Sequence, residues 1–128
     1  MFSSEARALL KRPVTGVVTC TDPKGYPQST AVWFLFDEEA EVIRISMTTG
    51  RKKYRNMAAN PKATFFVLNP DNVWSFVEVR ADVAWEADDE RVTMRRIGEY
   101  YSTDVTGFDP AGAIRVTAVL TPVVVNAR

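Results

Sequence analysis

"VWSFVEVRADVAW", residues 73–85, alternates in polarity more cleanly than any other stretch of the chain. Val73, Ser75, Val77, Val79, Ala81, Val83 and Trp85 fall on one face of an extended segment, and Glu78, Arg80 and Asp82 fall on the other. Successive side chains of a strand point to opposite sides, so one face of this segment belongs to a core and the other to water.

Working outward, the same reading extends to VTGVVTCT (14–21), QSTAVWFLF (28–36), EVIRISMT (41–48) and KATFFVLN (62–69). Each is short, rich in Val, Thr and aromatic residues, and bounded by turn-forming residues, which predicts four further strands. Asp22-Pro23-Lys24-Gly25 places Pro second and Gly fourth, the preference of a type I turn, so the first two strands should form a hairpin. AIRVTAVL (113–120) reads as a last strand, and Pro122 in the neighbouring TPVVVN suggests a bend or a sheet edge.

Helical signals are fewer. Ser3 or Ser4 can cap a short helix that stops at Lys11-Arg12-Pro13. A second helix is expected from Arg51 to about Ala59, before Asn60-Pro61, with Thr48 or Thr49 as its cap. A third is expected in DDERVTMRRIGEYY (88–101), despite Gly98, and should be followed by a loop at 102–112. The prediction is mainly β: a six-stranded antiparallel β-barrel with two or three short helices, closed on itself to remove sheet edges. Its 128 residues suffice for a single domain, 1–128. So small a barrel has little internal space, so ligands should bind on its outside or between subunits.

Composition removes several chemistries. With no histidine, Ser-His-Asp and Cys-His catalysis and the usual zinc ligand sets are excluded. The lone Cys20 lies in an apolar alternation and reads as packing, and no metal site is expected. Sixteen basic residues balance sixteen acidic ones, so no global field favours nucleic acid or an anionic membrane. No apolar run reaches about 18 residues and the N-terminus lacks a signal-peptide pattern, so the expected location is cytoplasmic. The acidic groups Asp37-Glu38-Glu39 and Asp88-Asp89-Glu90 read as solvated.

Any anion site must therefore be local, and TTGRKKYRNM (48–57) offers one. Arg51, Lys52, Lys53 and Arg55 crowd the start of the second predicted helix. Positive charge there opposes the helix dipole, at about 0.3–1 kcal/mol per exposed charge, whereas a bound phosphate or carboxylate reverses the sign. On a helical wheel Tyr54, Met57 and Ala58 form the apolar face and Lys52 points away from it, leaving Arg51 and Lys53 on the flanks, where they can lean toward a ligand. Ser46 and Thr48 offer hydroxyls from the preceding strand. Trp74, at a hairpin end, is the aromatic residue expected to be exposed.

Gly25 to Phe34, then Ile45 to Asn56, then Asn60-Pro61-Lys62-Ala63, then Trp74-Ser75 resemble the split β-barrel family of pyridoxamine 5'-phosphate oxidase-like proteins. Within it they are most similar to the branch that uses the deazaflavin coenzyme F-420. The resemblance implies an FMN-binding split-barrel type of fold and a homodimer with cofactor sites at the subunit interface. It implies that Arg51 and Lys53 hold the cofactor phosphate or its acidic tail, with Ser46 and Thr48 near the phosphate and Asn56 in the same motif. It also implies that Gln28, Ser29, Thr30, Val32 and Phe34 line the deazaflavin ring, and that Trp74 and Ser75 come from the other subunit. The expected activity is hydride transfer from the reduced deazaflavin to a small unsaturated or quinone-like substrate, the cofactor carrying the hard chemistry. An FMN-dependent oxidase or flavin reductase, and a non-catalytic cofactor carrier or sensor, remain open alternatives. An oligonucleotide-binding barrel is disfavoured, because the cations gather at a helix start instead of tracking along a strand face.

Overall fold

The computed structural model describes residues 1–128. In chain order the elements are α1 (Ser4–Leu10), β1 (Gly16–Thr21), β2 (Pro27–Val32), β3 (Leu35–Asp37), β4 (Val42–Thr48), α2 (Lys52–Ala59), β5 (Lys62–Leu68), β6 (Phe76–Ala87), α3 (Val92–Tyr100) and β7 (Arg115–Ala127). All strand pairings are antiparallel, in one sheet of order β2-β1-β5-β6-β7-β4-β3. No helix is long and apolar enough to cross a membrane.

The sheet has seven strands where six were expected, and the difference lies in residues 28–36. Their apolar pattern continues without a break, yet β2 ends at Val32 and β3 begins at Leu35. These two strands occupy opposite ends of the sheet order. In a flat sheet six strand spacings would separate them by about 29 Å. Three Cα steps reach at most about 11 Å. The sheet must therefore curl until its edges meet, and since no ladder joins β2 to β3 or β4, the result is a split barrel.

Phe34, in the crossing, is fully buried and meets Phe65 edge to face, with centroids 4.7 Å apart. A Cβ on Gly16 would lie 2.5 Å from the Phe65 ring, so β1 needs glycine there to let that ring in. α1, capped by Ser3 as the sequence suggests, contributes Ala6, Leu9 and Leu10 to the same core. The alternation of 73–85 holds from Val77 to Val83, all buried on one face, but residues 73–75 belong to a turn, in which Asn69 N–H meets the Ser75 carbonyl. Residues 115–127 form one strand. Pro122 is accommodated beside a bulge, where Arg80 faces Val124 and Ala81 faces Pro122, leaving Val123 unpaired.

α3 closes the seam. Its capping residue Tyr101 lays its ring on Trp33, 4.7 Å away and nearly parallel, while its hydroxyl donates to the Val14 carbonyl at 2.6 Å and accepts from Phe34 N–H at 3.3 Å. Burial pushes the Tyr101 pKa up to about 12, so the hydroxyl stays a donor throughout the physiological range. Asp88 is buried, contrary to its expected solvation, because its carboxylate accepts from the N–H groups of Val92, Thr93 and Met94 at the start of α3. Gly98 belongs in this helix for a steric reason: a Cβ there would stand 2.9 Å from both the Thr103 carbonyl oxygen and Val105 Cγ1, where the following loop folds back.

Tyr101→Phe removes the bridge and strands two main-chain groups, at a cost of about 1–3 kcal/mol. We expect a loss of that size in urea unfolding, with the m-value unchanged.

Candidate active site

A cleft of about 520 Å³ opens at the split. One wall is apolar: Trp33 from the crossing, Met94 and Ile97 from α3, and Val105 and Phe108 from the loop beyond it. The opposite end is cationic, with Arg51, Lys53 and Arg115, and carries the hydroxyls of Ser46 and Thr48. No carboxylate lines it.

The cationic end follows from how α2 begins. Arg51 is the N-cap, in extended conformation, and no side chain caps the helix, whereas Thr48 or Thr49 was expected to do so. Thr48 lies in β4 and its carbonyl accepts from Arg51 N–H at 3.2 Å, so the turn is tied through the main chain instead. The first amides of α2 thus lack a side-chain acceptor, an arrangement suited to an anion. The helix is also rotated relative to the wheel. Its buried face is Lys53, Asn56 and Met57, while Ala58 is exposed and Lys52 points to solvent. Asn56 Nδ2 donates to Gln28 Oε1 at 2.7 Å, and Cys20 Sγ approaches the same oxygen at 3.8 Å.

Lys53 is therefore 8 % exposed, with no carboxylate among its neighbours. Burial lowers its pKa, and the positive charges of Arg51 and Arg115 lower it further. An unpaired buried cation is the costly half of a charge pair, and an anion entering the cleft supplies the other half.

Arg115 was missing from the sequence reading. It lies directly across from Thr48 in the β4–β7 register, and its Nη1 donates to Ser46 Oγ at 3.2 Å. Asp109 holds its other edge, with Nη2 to Oδ1 at 2.7 Å and Nε to Oδ2 at 2.9 Å. This contact is the main reason the Asp109 pKa is lowered. In sequence Arg115 stands sixty positions from the basic turn, and only strand register brings the two together.

Of the residues singled out from sequence, Val32, Ser46, Thr48, Arg51 and Lys53 converge on the cleft. Gln28 and Asn56 bond each other behind its cationic end, and Ser29 faces outward with its hydroxyl 2.8 Å from Thr19. Thr30 is half-buried on β2 outside the cleft lining, and the Phe34 side chain lies in the core rather than on the cleft surface. Trp74 is exposed, as expected, and Ser75 Oγ donates to the Arg128 carbonyl at 2.8 Å. Both lie beyond the far end of the β6–β7 ladder from Arg115, roughly 40 Å along the strand direction for the 13 residues of β7.

Comparisons with known proteins agree on the fold. Residues 2–125 match the family model described as pyridoxamine 5'-phosphate oxidase. A solved structure of an F-420 reductase is 35% identical, covers 94% of each chain and superposes with a TM-score of 0.86. A protein from Listeria innocua described as a pyridoxamine 5'-phosphate oxidase is 19% identical over 98% of both chains, with a TM-score of 0.73. A pyridoxamine 5'-phosphate oxidase-related, FMN binding protein from Nostoc punctiforme is 16% identical, covering 94% of this chain and 76% of its own, with a TM-score of 0.66.

Lys53→Met should stabilise the ligand-free protein by about 1 kcal/mol by removing a buried charge without a partner. Because folding depresses this lysine's pKa below the ordinary 10.5, the unfolded chain binds more protons in the window between the two values. Wild-type stability should accordingly rise with pH through that window, and a series of melts should show the rise weakened in Lys53→Met.

Proposed function

The chain belongs to the pyridoxamine 5'-phosphate oxidase family, and on that premise we propose that it is an oxidoreductase holding coenzyme F-420 in the cleft at its split. The observation that carries this reading is Lys53, buried and without an anionic partner between Arg51 and Arg115 at an uncapped helix start. The donor set fits the group. Guanidinium and ammonium side chains, two hydroxyls and free helix amides suit a phosphoryl oxygen, and the apolar wall beside them suits a planar ring.

Reduced coenzyme F-420 supplies a hydride to an electrophilic acceptor, here a small unsaturated or quinone-like molecule. The chain's own residues bind and orient. Arg51 and Lys53 fix the anionic end, Ser46 and Thr48 offer hydrogen bonds beside it, and the wall from Trp33 to Phe108 excludes water. With no carboxylate in the cleft and no histidine in the chain, positioning is what the protein contributes to rate. The 35% identity to an F-420 reductase supports the choice of cofactor.

The working unit in this reading is a homodimer. Trp74 and Ser75 do not line their own cleft and sit past the opposite end of the β6–β7 ladder from Arg115, so in this reading they complete the cleft of a second copy. FMN also carries a phosphate beside a planar ring, which the same donors suit, so the two cofactors are best titrated side by side.

Arg51→Ala combined with Lys53→Ala should weaken coenzyme F-420 binding at least about 100-fold, in line with the loss of two charge-assisted contacts. Unchanged affinity in calorimetry would refute the site. Binding should also weaken as pH rises through the lowered Lys53 pKa, because the bound anion favours the protonated amine. Tighter binding of FMN than of coenzyme F-420 would replace the cofactor assignment.

A further inference from the structure

The loop between α3 and β7 does more than connect them. It delivers Asp109 to Arg115, and Phe108, the residue before Asp109, to the apolar wall of the cleft. Asp109 is nearly buried, at 7% side-chain exposure, and also accepts from Arg91 Nε at 3.2 Å. A surface ion pair would be worth little, but a buried fork held at both ends fixes a direction.

That direction matters because of where Arg115 begins. Its backbone lies opposite Thr48, and the Ile114 carbonyl accepts from Thr49 N–H at 3.0 Å, so the first residue of β7 is fastened to the turn that launches α2. Side chains alternate along a strand, and Arg115 comes out on the same side of the sheet as Ser46 and Thr48. Asp109 engages Nε and Nη2, the side edge of the guanidinium. The end edge, Nη1 with the second hydrogen of Nη2, meets only the Ser46 hydroxyl. Two parallel N–H groups on such an edge match a pair of phosphoryl oxygens.

The charge balance points the same way. Arg51, Lys53 and Arg115 line one end of the cleft, and the single carboxylate among them, that of Asp109, is shared with Arg91 and turned away from the lining.

Resting on the reading that this end takes the cofactor's phosphoryl group, we propose that Arg115 is a third direct contact to that group and that Asp109 is its positioning residue. The loop 102–114 is thereby part of the binding site. It sets the guanidinium at the anion through Asp109 and the wall at the ring through Phe108, so a ligand lacking either part forfeits what the loop offers the other.

The test is a double-mutant cycle. Wild type, Arg115→Met, Asp109→Asn and the double variant are titrated with coenzyme F-420 and, separately, with inorganic pyrophosphate read by thermal shift. Arg115→Met should weaken coenzyme F-420 about tenfold or more and abolish the pyrophosphate shift. Asp109→Asn should weaken it about threefold in the wild-type background and change it less than about twofold on Arg115→Met, because it acts through the arginine. Should Arg115→Met melt below the assay temperature, Arg115→Lys replaces it, keeping the charge without the fork, with a loss of about threefold expected.

Wild-type affinity in a folded Arg115 variant overturns the assignment and leaves the proposed function intact. Equal or tighter binding by Asp109→Asn overturns the positioning role, since the carboxylate would then be a competitor for the arginine. If wild type binds neither cofactor but pyrophosphate stabilises it and not Arg115→Met, the cofactor reading falls and the Arg115 contact stands. If no anion binds wild type at all, both fall.

Discussion

Everything in this molecule depends on a connection two residues long. Trp33 and Phe34 must carry the chain from one end of a seven-stranded order to the other, and no flat sheet allows that. The resulting curl gathers one continuous core, but it closes without a hydrogen-bonded ladder along the join. Unpaired strand edges are costly to bury and hazardous to expose, so something else must finish the seam. Here it is α3, whose capping Tyr101 satisfies a main-chain donor in the crossing, Phe34 N–H, and a main-chain acceptor just before β1, the Val14 carbonyl. The cleft opens beside this repair, because side chains rather than a ladder line it.

The cleft's electrostatics then follow from the β4–α2 corner. A helix that starts without a cap and with cations would be a small local error in an isolated segment, at tenths of a kcal/mol for each exposed charge. Burial changes the scale. Lys53 is withdrawn from water between two other cations, which no surface screening relieves. In the proposed reading an anionic ligand restores the balance, which makes the ligand-free state the strained one. A preformed anion site then binds with little reorganisation, and positioning a cofactor there needs neither a histidine nor an acid in the cleft.

How far the sequence disclosed this can be judged residue by residue. Strand segments were legible because period-2 alternation survives wherever one face is buried, as from Val77 to Val83. The split within 28–36 was not, since Trp33 and Phe34 prolong the apolar pattern and only the order of strands in the sheet reveals the crossing. The basic turn was legible from local charge density, but the wheel sent Ala58 inward and Lys53 to a flank, because it weighs hydrophobicity alone and the buried stripe here is partly polar. Asp88 was misjudged in the same way: three helix amides satisfy it, and no linear pattern distinguishes that from solvation. Arg115 required the β4–β7 register. Sequence resemblance supplied the expected cofactor residues, and the structure separates those that line the cleft, such as Arg51 and Lys53, from Gln28 and Asn56, which are outside its lining.

Those two residues explain why Lys53 is inside at all. Turning α2 by about 100° would release the lysine to water, but it would also withdraw Met57, fully buried, at about 2–3 kcal/mol for a side chain of that size. The same turn would break the Asn56 to Gln28 bond and leave polar groups stranded against Cys20, adding about 1–3 kcal/mol. Against this stands the cost of one partly desolvated ammonium, which can shed its proton or approach the cleft mouth. The helix is therefore locked by its neighbours at positions 56 and 57, and position 53 is carried inward with them. The charge that defines the site is held there by packing and one amide pair from β2, before any ligand arrives.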